Sequence, residues 1–229
     1  MGAMIRLRAT DDHELGAYEA RPAADCKGGI VLVQEIYGVN PHIRSVADSF
    51  AAEGYHVVAP ALFDRFKRDI ELRYGGIDNV EAFALMNLLR QDSALNDIGA
   101  AYKHLAQDEA SIAVAGFCYG GLMSWLSATR GADFGMAPKC TVGYYAGGIG
   151  KVAEEQPSCP VMLHFGADDD HIGAEQREKV HEAHPEVQIF VYEGAGHAFN
   201  RDADPTVYRE AAARLARQRT LAFLADNLR

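Results

Sequence analysis

The chain has little of what several protein classes require. Only four of its 229 residues are cysteine. None of Cys26, Cys118, Cys140 and Cys159 stands in a C-x-x-C pair, which argues against a disulfide framework and a cysteine-built metal centre. Cys140 and Cys159 open apolar runs and read as packing residues, and Cys26 lies in a polar loop. No apolar run approaches the ~20 residues that a membrane-spanning helix needs. A signal-peptide core is also missing at the N-terminus, where Arg6 and Arg8 interrupt the apolar residues, so a cytoplasmic location is expected. Basic residues are outnumbered, 22 Lys and Arg against 32 Asp and Glu, for a net charge of −10. That balance provides neither an electrostatic footprint for nucleic acid nor a polybasic membrane patch. With no repeat, low-complexity linker or break in composition, residues 1–229 read as a single domain.

What is present is an alternation of short apolar runs and amphipathic stretches. Strands are expected at Ile5–Ala9, Leu15–Glu19, Ile30–Val33, His56–Ala59, Ile112–Ala115, Thr141–Tyr145, Val161–Phe165 and Val187–Tyr192. Helices are expected at Ile43–Ala52, Val80–Arg90, Leu95–Ala106, Leu122–Thr129, Ala174–His184 and Thr206–Asn227. Continuous apolar strands between helices predict an α/β fold with a mostly parallel sheet covered on both faces. The first two runs alternate in polarity around Asp11-Asp12 and read as an antiparallel hairpin at one edge. Pro41 suits a first helical turn, and Gly54 and Gly131 suit helix ends. The segment from Phe63 to Asn79 is charge-rich and reads as a solvated loop. Loops at the carboxyl ends of parallel strands line binding sites, so its basic residues are placed to meet an anion.

The chemistry concentrates at Gly116-Phe117-Cys118-Tyr119-Gly120-Gly121. A Gly-x-nucleophile-x-Gly run between a strand and a helix is the nucleophile elbow of α/β-hydrolases, with Cys118 here in the place usually held by serine. The turn is too tight for bulky flanking residues, which accounts for Gly116 and Gly120. A free cysteine is also a common packing residue, so the assignment depends on its partners. An unassisted thiol, with a pKa near ~8.5, is only a few per cent thiolate at neutral pH. It needs a base, and the base needs a carboxylate to orient it.

In hydrolase chain order the acid and then the histidine follow the nucleophile. His197 fits the base position, in the glycine-flanked loop Glu193–Phe199 beyond the last strand. Among the other histidines, His164 lies inside a strand and reads as a satisfied core residue. The acid candidates are Asp168, Asp169 and Asp170 at the end of Val161–Phe165, and the residue types do not choose among them. Like-charge repulsion makes it unfavourable for all of them to face one site. Glu35 ends the third strand and is placed to meet Cys118. The same loop can supply one oxyanion donor, the Ile36 N–H, beside the Tyr119 N–H of the elbow.

With Gln34–Asn40, Gly116–Gly121, Gly166–Asp169 and Gly194–Phe199 taken together, the chain resembles the dienelactone hydrolase (carboxymethylenebutenolidase) family over nearly its whole length. The resemblance implies a Cys118–His197–Asp169 triad. It implies that the resting thiol contacts Glu35 and swings to His197 when substrate binds. Cys118 then attacks the carbonyl of a small carboxylated ester or lactone, and water clears the acyl-thioester without metal or organic cofactor. Arg201, Tyr37 and Tyr145 are the implied substrate-binding residues. The family's second substrate arginine and its tyrosine fall near Asn79 and Phe83, where neither type matches, and Ala61 replaces a usual aspartate. Arg65, Arg68 and Arg73 are the candidates to replace the missing cation. The expected partner is a small molecule acting on a monomer or weak dimer. The alternative from another class is a redox-sensing or glyoxalase- or chaperone-like protein built on a Glu35-paired reactive cysteine.

Overall fold

Strands that are apolar at every position are stable only where both faces of the sheet are covered, and that condition sets the architecture. A computed structural model describes residues 2–229. Its strands are β1 (Ala3–Arg8), β2 (Glu14–Ala20), β3 (Gly29–Val33), β4 (His56–Pro60), β5 (Ile112–Phe117), β6 (Cys140–Tyr144), β7 (Val161–Gly166) and β8 (Gln188–Tyr192). The helices are α1 (Pro41–Ala52), α2 (Gly76–Leu88), α3 (Gln91–Leu105), α4 (Tyr119–Arg130), α5 (Ala174–Ala183) and α6 (Glu210–Asn227). The strands form one eight-stranded sheet in the order β1-β2-β4-β3-β5-β6-β7-β8. β1 and β2 form the expected antiparallel hairpin, β2 also runs antiparallel to β4, and from β4 to β8 all pairs are parallel. Every residue of β3 to β7 is buried, whereas β8 at the far edge is largely open. This is the α/β-hydrolase fold. No helix among the described residues is long and apolar enough to cross a membrane.

Local chemistry explains most element ends. The Asn40 side chain caps α1 by accepting from the Ile43 N–H at 3.1 Å, with Pro41 in the first turn, where its missing N–H costs nothing. Three helix starts differ from expectation by four residues, the first being α3, which begins at Gln91 rather than Leu95. α6 begins at Glu210 rather than Thr206, because the Asp204 side chain accepts from both the backbone N–H and the hydroxyl of Thr206 and holds that stretch as a turn. α2 begins at Gly76 rather than Val80, entered through left-handed backbone at Gly75 (φ 89°).

The fold delivers its loops to the carboxyl ends of β3, β5, β7 and β8, where ligand sites of open parallel sheets lie. Backbone approach there is very close. A Cβ on Gly116 would stand 2.2 Å from the Gly120 carbonyl oxygen, and one on Gly120 would stand 2.3 Å from the Val33 carbonyl oxygen. Both neighbours are backbone and cannot turn aside. We expect Gly120→Ala to lower the free energy of urea unfolding by about 3 kcal/mol. Gly147→Ala, where nothing lies within 4 Å, should change it by less than about 0.5 kcal/mol. Equal behaviour of the two variants would show that the elbow is not sterically constrained.

Candidate active site

Cys118 sits between β5 and α4 with φ 55° and ψ −115°, a backbone conformation that costs a non-glycine residue about 1–3 kcal/mol. Its N–H donates to the Tyr144 carbonyl at 2.9 Å, which ties the turn to the neighbouring strand. The sulfur lies 3.2 Å from His197 Nε2, and His197 Nδ1 lies 2.8 Å from Asp169 Oδ2. The acidic run is resolved by burial: Asp168 and Asp170 are exposed, and the Asp169 side chain is fully enclosed. Its other oxygen accepts the His171 and Ile172 N–H groups at 2.8 and 3.1 Å. Asp169 therefore presents a fixed carboxylate to the imidazole. The β7 and β8 loops are locked together, since a Cβ on Gly166 would stand 2.2 Å from the Ala195 carbonyl oxygen.

Burial alone would push the His197 imidazole toward lower pKa. Hydrogen bonds to Asp169 and Cys118, together with their charges, outweigh it and raise His197 to about 10. The site thus favours imidazolium between two acidic partners.

Glu35 is enclosed, at 1% exposure, but its partner is not the thiol. Arg201 Nη2 donates to Oε1 at 2.9 Å and Nε to Oε2 at 3.2 Å, a bidentate pair, and the Tyr74 hydroxyl donates to Oε2 at 3.3 Å. The Glu35–thiol contact implied by the family resemblance is replaced by a guanidinium fork, which is a much stronger partner for a carboxylate than a thiol. The Arg201 guanidinium lies 4.1 Å from the centre of the Tyr74 ring and 5.2 Å from that of Tyr37. Tyr37 offers the cleft its ring, because its hydroxyl donates to Asn79 Oδ1 at 2.9 Å.

Tyr145 falls just outside β6, in left-handed backbone (φ 37°), with its ring centre 5.1 Å from that of His197. Its buried hydroxyl has no hydrogen-bond partner among the described residues. Burial and the nearby Glu35 charge push that phenol well above its usual pKa, so it remains a donor.

The other expectations sort as follows. The Tyr119 N–H opens α4 and is among the first-turn donors that lack a partner within the helix. Ile36 directly follows Glu35 in the β3–α1 loop, which abuts the elbow through the Val33 and Gly120 contact. Arg65 is committed elsewhere, to buried Asp97 at 2.8 Å and to Asp11 at 2.9 Å, and Arg68 reaches the Glu14 carbonyl. His164 is a core residue, held by Tyr192 and Thr220 at 2.8 and 3.0 Å.

The sequence profile of the dienelactone hydrolase family matches residues 15–228. The chain belongs to that family. Among curated relatives of this dienelactone hydrolase family member, the carboxymethylenebutenolidase of Pseudomonas putida is 30% identical over 230 residues, covering 96% of this chain and 95% of the relative. The carboxymethylenebutenolidase of Pseudomonas sp. (strain P51) is 32% identical over 232 residues, covering 96% and 93%. A solved structure, the "Putative Dienelactone Hydrolase" of Klebsiella pneumoniae subsp. pneumoniae, superposes with a TM-score of 0.82 at 28% identity, covering 97% of this chain and 99% of that one.

Sequence reasoning missed Tyr74 and Asn40. Asn40 Nδ2 donates to the Tyr74 hydroxyl at 3.2 Å and so orients the residue beneath Arg201. A capping signature at Asn40-Pro41 was visible in the sequence, but its second task was not.

Two outcomes are expected. Arg201→Ala should cost about 3–5 kcal/mol of unfolding free energy by leaving Glu35 buried and unpaired, and adding Glu35→Gln should recover much of it. By NMR the His197 ring should titrate near pH 10, and Asp169→Asn should lower that midpoint by at least about one pH unit. Because the folded value exceeds the ~6.5 of a free imidazole, this group's stabilisation is complete below about pH 6.5 and is lost as pH rises through about 10.

Proposed function

We propose that the chain is a cysteine-dependent hydrolase of small lactones or esters that carry a carboxylate. The observation that carries this reading is the continuous line from Cys118 Sγ through His197 to Asp169, with gaps of 3.2 and 2.8 Å. In it the proton of the Cys118 thiol is held by His197, and Asp169 orients the ring through Nδ1 and stabilises it as imidazolium. The thiolate attacks the substrate carbonyl, and the oxyanion is received by the Ile36 and Tyr119 N–H groups. As the tetrahedral centre collapses, the C–O bond to the leaving oxygen breaks and that oxygen takes the proton from His197. Water, deprotonated by His197, then attacks the thioester carbonyl, and Cys118 leaves as thiolate. No step draws on a cofactor.

Recognition of a carboxylate is supported by what already sits on Arg201. Glu35 presents a carboxylate to the guanidinium fork, and a substrate anion is its chemical equivalent. Arg201, with Tyr37 and Tyr145 beside it, is assigned to substrate binding, and exchange of Glu35 for the substrate anion gives Glu35 its gating role. The relatives named carboxymethylenebutenolidase support a lactone in this cleft. The same reading has residues 1–229 working as one domain in the cytoplasm, as a monomer or weak dimer. A sensor built on a Glu35-paired thiol is disfavoured, because both Glu35 oxygens face Arg201 and one also accepts from Tyr74.

Cys118→Ala and His197→Ala should each reduce kcat/KM for an activated aryl ester by at least about a thousandfold. Intact-mass analysis of a rapid quench should find the acyl group on Cys118; unchanged turnover in either variant defeats the mechanism. Carboxylated lactones should be preferred over neutral esters. The Glu35→Gln/Arg201→Ala double variant should lose that preference mainly through a higher KM.

A further inference from the structure

At the amino-terminal end of the parallel strands, away from the elbow, three side chains from distant parts of the sequence converge. Glu19 comes from β2, His56 is the first residue of β4, and His104 lies in the last turn of α3. Glu19 Oε1 lies 2.9 Å from His56 Nε2 and 2.8 Å from His104 Nε2, and the ligand atoms all fall within 4.8 Å of one another. His56 is buried, while Glu19 and His104 are only partly covered, so the cluster has a fixed inner ligand and an open side.

A further contact concerns the other face of the His56 ring. His56 Nδ1 lies 3.2 Å from Glu109 Oε1, in the loop between α3 and β5. A carboxylate on the remote nitrogen is the usual device by which a metal-ligating imidazole is oriented and made more basic. It directs Nε2 at the point where Glu19 and His104 meet. Arg21 is a competing cation: Nη2 lies 3.1 Å from the same Glu19 oxygen and 3.0 Å from Asp108 Oδ2. Asp108 keeps a partner ready for the guanidinium if Glu19 is taken by another cation.

We propose that Glu19, His56 and His104 form a binding site for one divalent late transition-metal ion, Zn2+ being the best match, with solvent completing its coordination. Two imidazole nitrogens and one carboxylate oxygen suit Zn2+ better than Mg2+ or Ca2+, which prefer all-oxygen shells. On loading, each imidazole binds the ion through an unprotonated Nε2, and Arg21 withdraws to Asp108. The bound ion would link β2, β4 and α3, pinning the antiparallel edge to the body of the sheet. This role is structural and independent of the reaction at Cys118.

The test uses chelator-treated Cys118→Ala protein, which removes the active-site thiol as a competing ligand. Titration calorimetry with Zn2+ should give one ion per chain, with a rise in Tm, and Co2+ should give visible absorption bands from the same site. His104→Ala and Glu19→Gln should each weaken binding at least about a hundredfold, Glu109→Gln by about 10–100-fold, and Arg21→Ala should strengthen it. In the Cys118-containing protein, His104→Ala should leave ester hydrolysis unchanged, which also reports that the variant folds. If it does not fold, the Glu109→Gln and Arg21→Ala shifts in opposite directions decide the question. Absence of one-to-one binding, or binding insensitive to the folded variants, overturns the proposal.

Discussion

At the junction of β5 and α4 the backbone of three separate segments comes into direct contact, and the geometry of the whole cleft follows from it. Val33 and Gln34 carbonyls crowd the Gly120 Cα, the Gly120 carbonyl crowds Gly116, and the Tyr144 carbonyl accepts from Cys118. Cys118 is held in left-handed backbone by neighbours that cannot yield, so its strain is absorbed by the sheet rather than relaxed by the turn. Two properties result together. The sulfur stands within 3.2 Å of His197 Nε2, and α4 begins one residue later, with Tyr119 in its first turn. Parallel strands are well suited to impose this, because their carboxyl ends are fixed by hydrogen bonds on both sides.

Around that fixed point the charges separate into two sets. Asp169, His197 and Cys118 form one line, and Glu35, Arg201 and Tyr74 form the other. Enclosure makes each set demanding, since a buried carboxylate without its cation is far costlier than an exposed one. Arg201 meets that demand for Glu35 with two hydrogen bonds and a ring face beneath the guanidinium. With Glu35 so engaged, the thiol is left to the imidazole.

Much of this was legible in the residues. The apolar strand runs, the edge hairpin and the glycine-flanked Cys118 depend on local sequence, and each appears where expected. His197 was legible because its loop follows the last strand. Choosing among Asp168, Asp169 and Asp170 needed burial, which only the fold supplies; before it, the choice of Asp169 rested on family resemblance. The Glu35–Arg201 pair joins residues 166 apart, so no spacing rule reveals it. Tyr74 was hidden in a stretch whose charges suggested a solvated loop. Arg65, from that stretch, serves Asp97 instead, whose carboxyl burial pushes up to about 7 despite the guanidinium. The start of α6 was misjudged because the Asp204 turn competes locally with helix.

The loop between β8 and α6 carries both His197 and Arg201, joined by a backbone hydrogen bond from the Arg201 N–H to the Ala198 carbonyl at 2.9 Å. His197 and Arg201 are therefore parts of one short hydrogen-bonded turn. Displacing the whole turn would break the His197–Cys118 and Arg201–Glu35 contacts together, so such an opening is penalised twice.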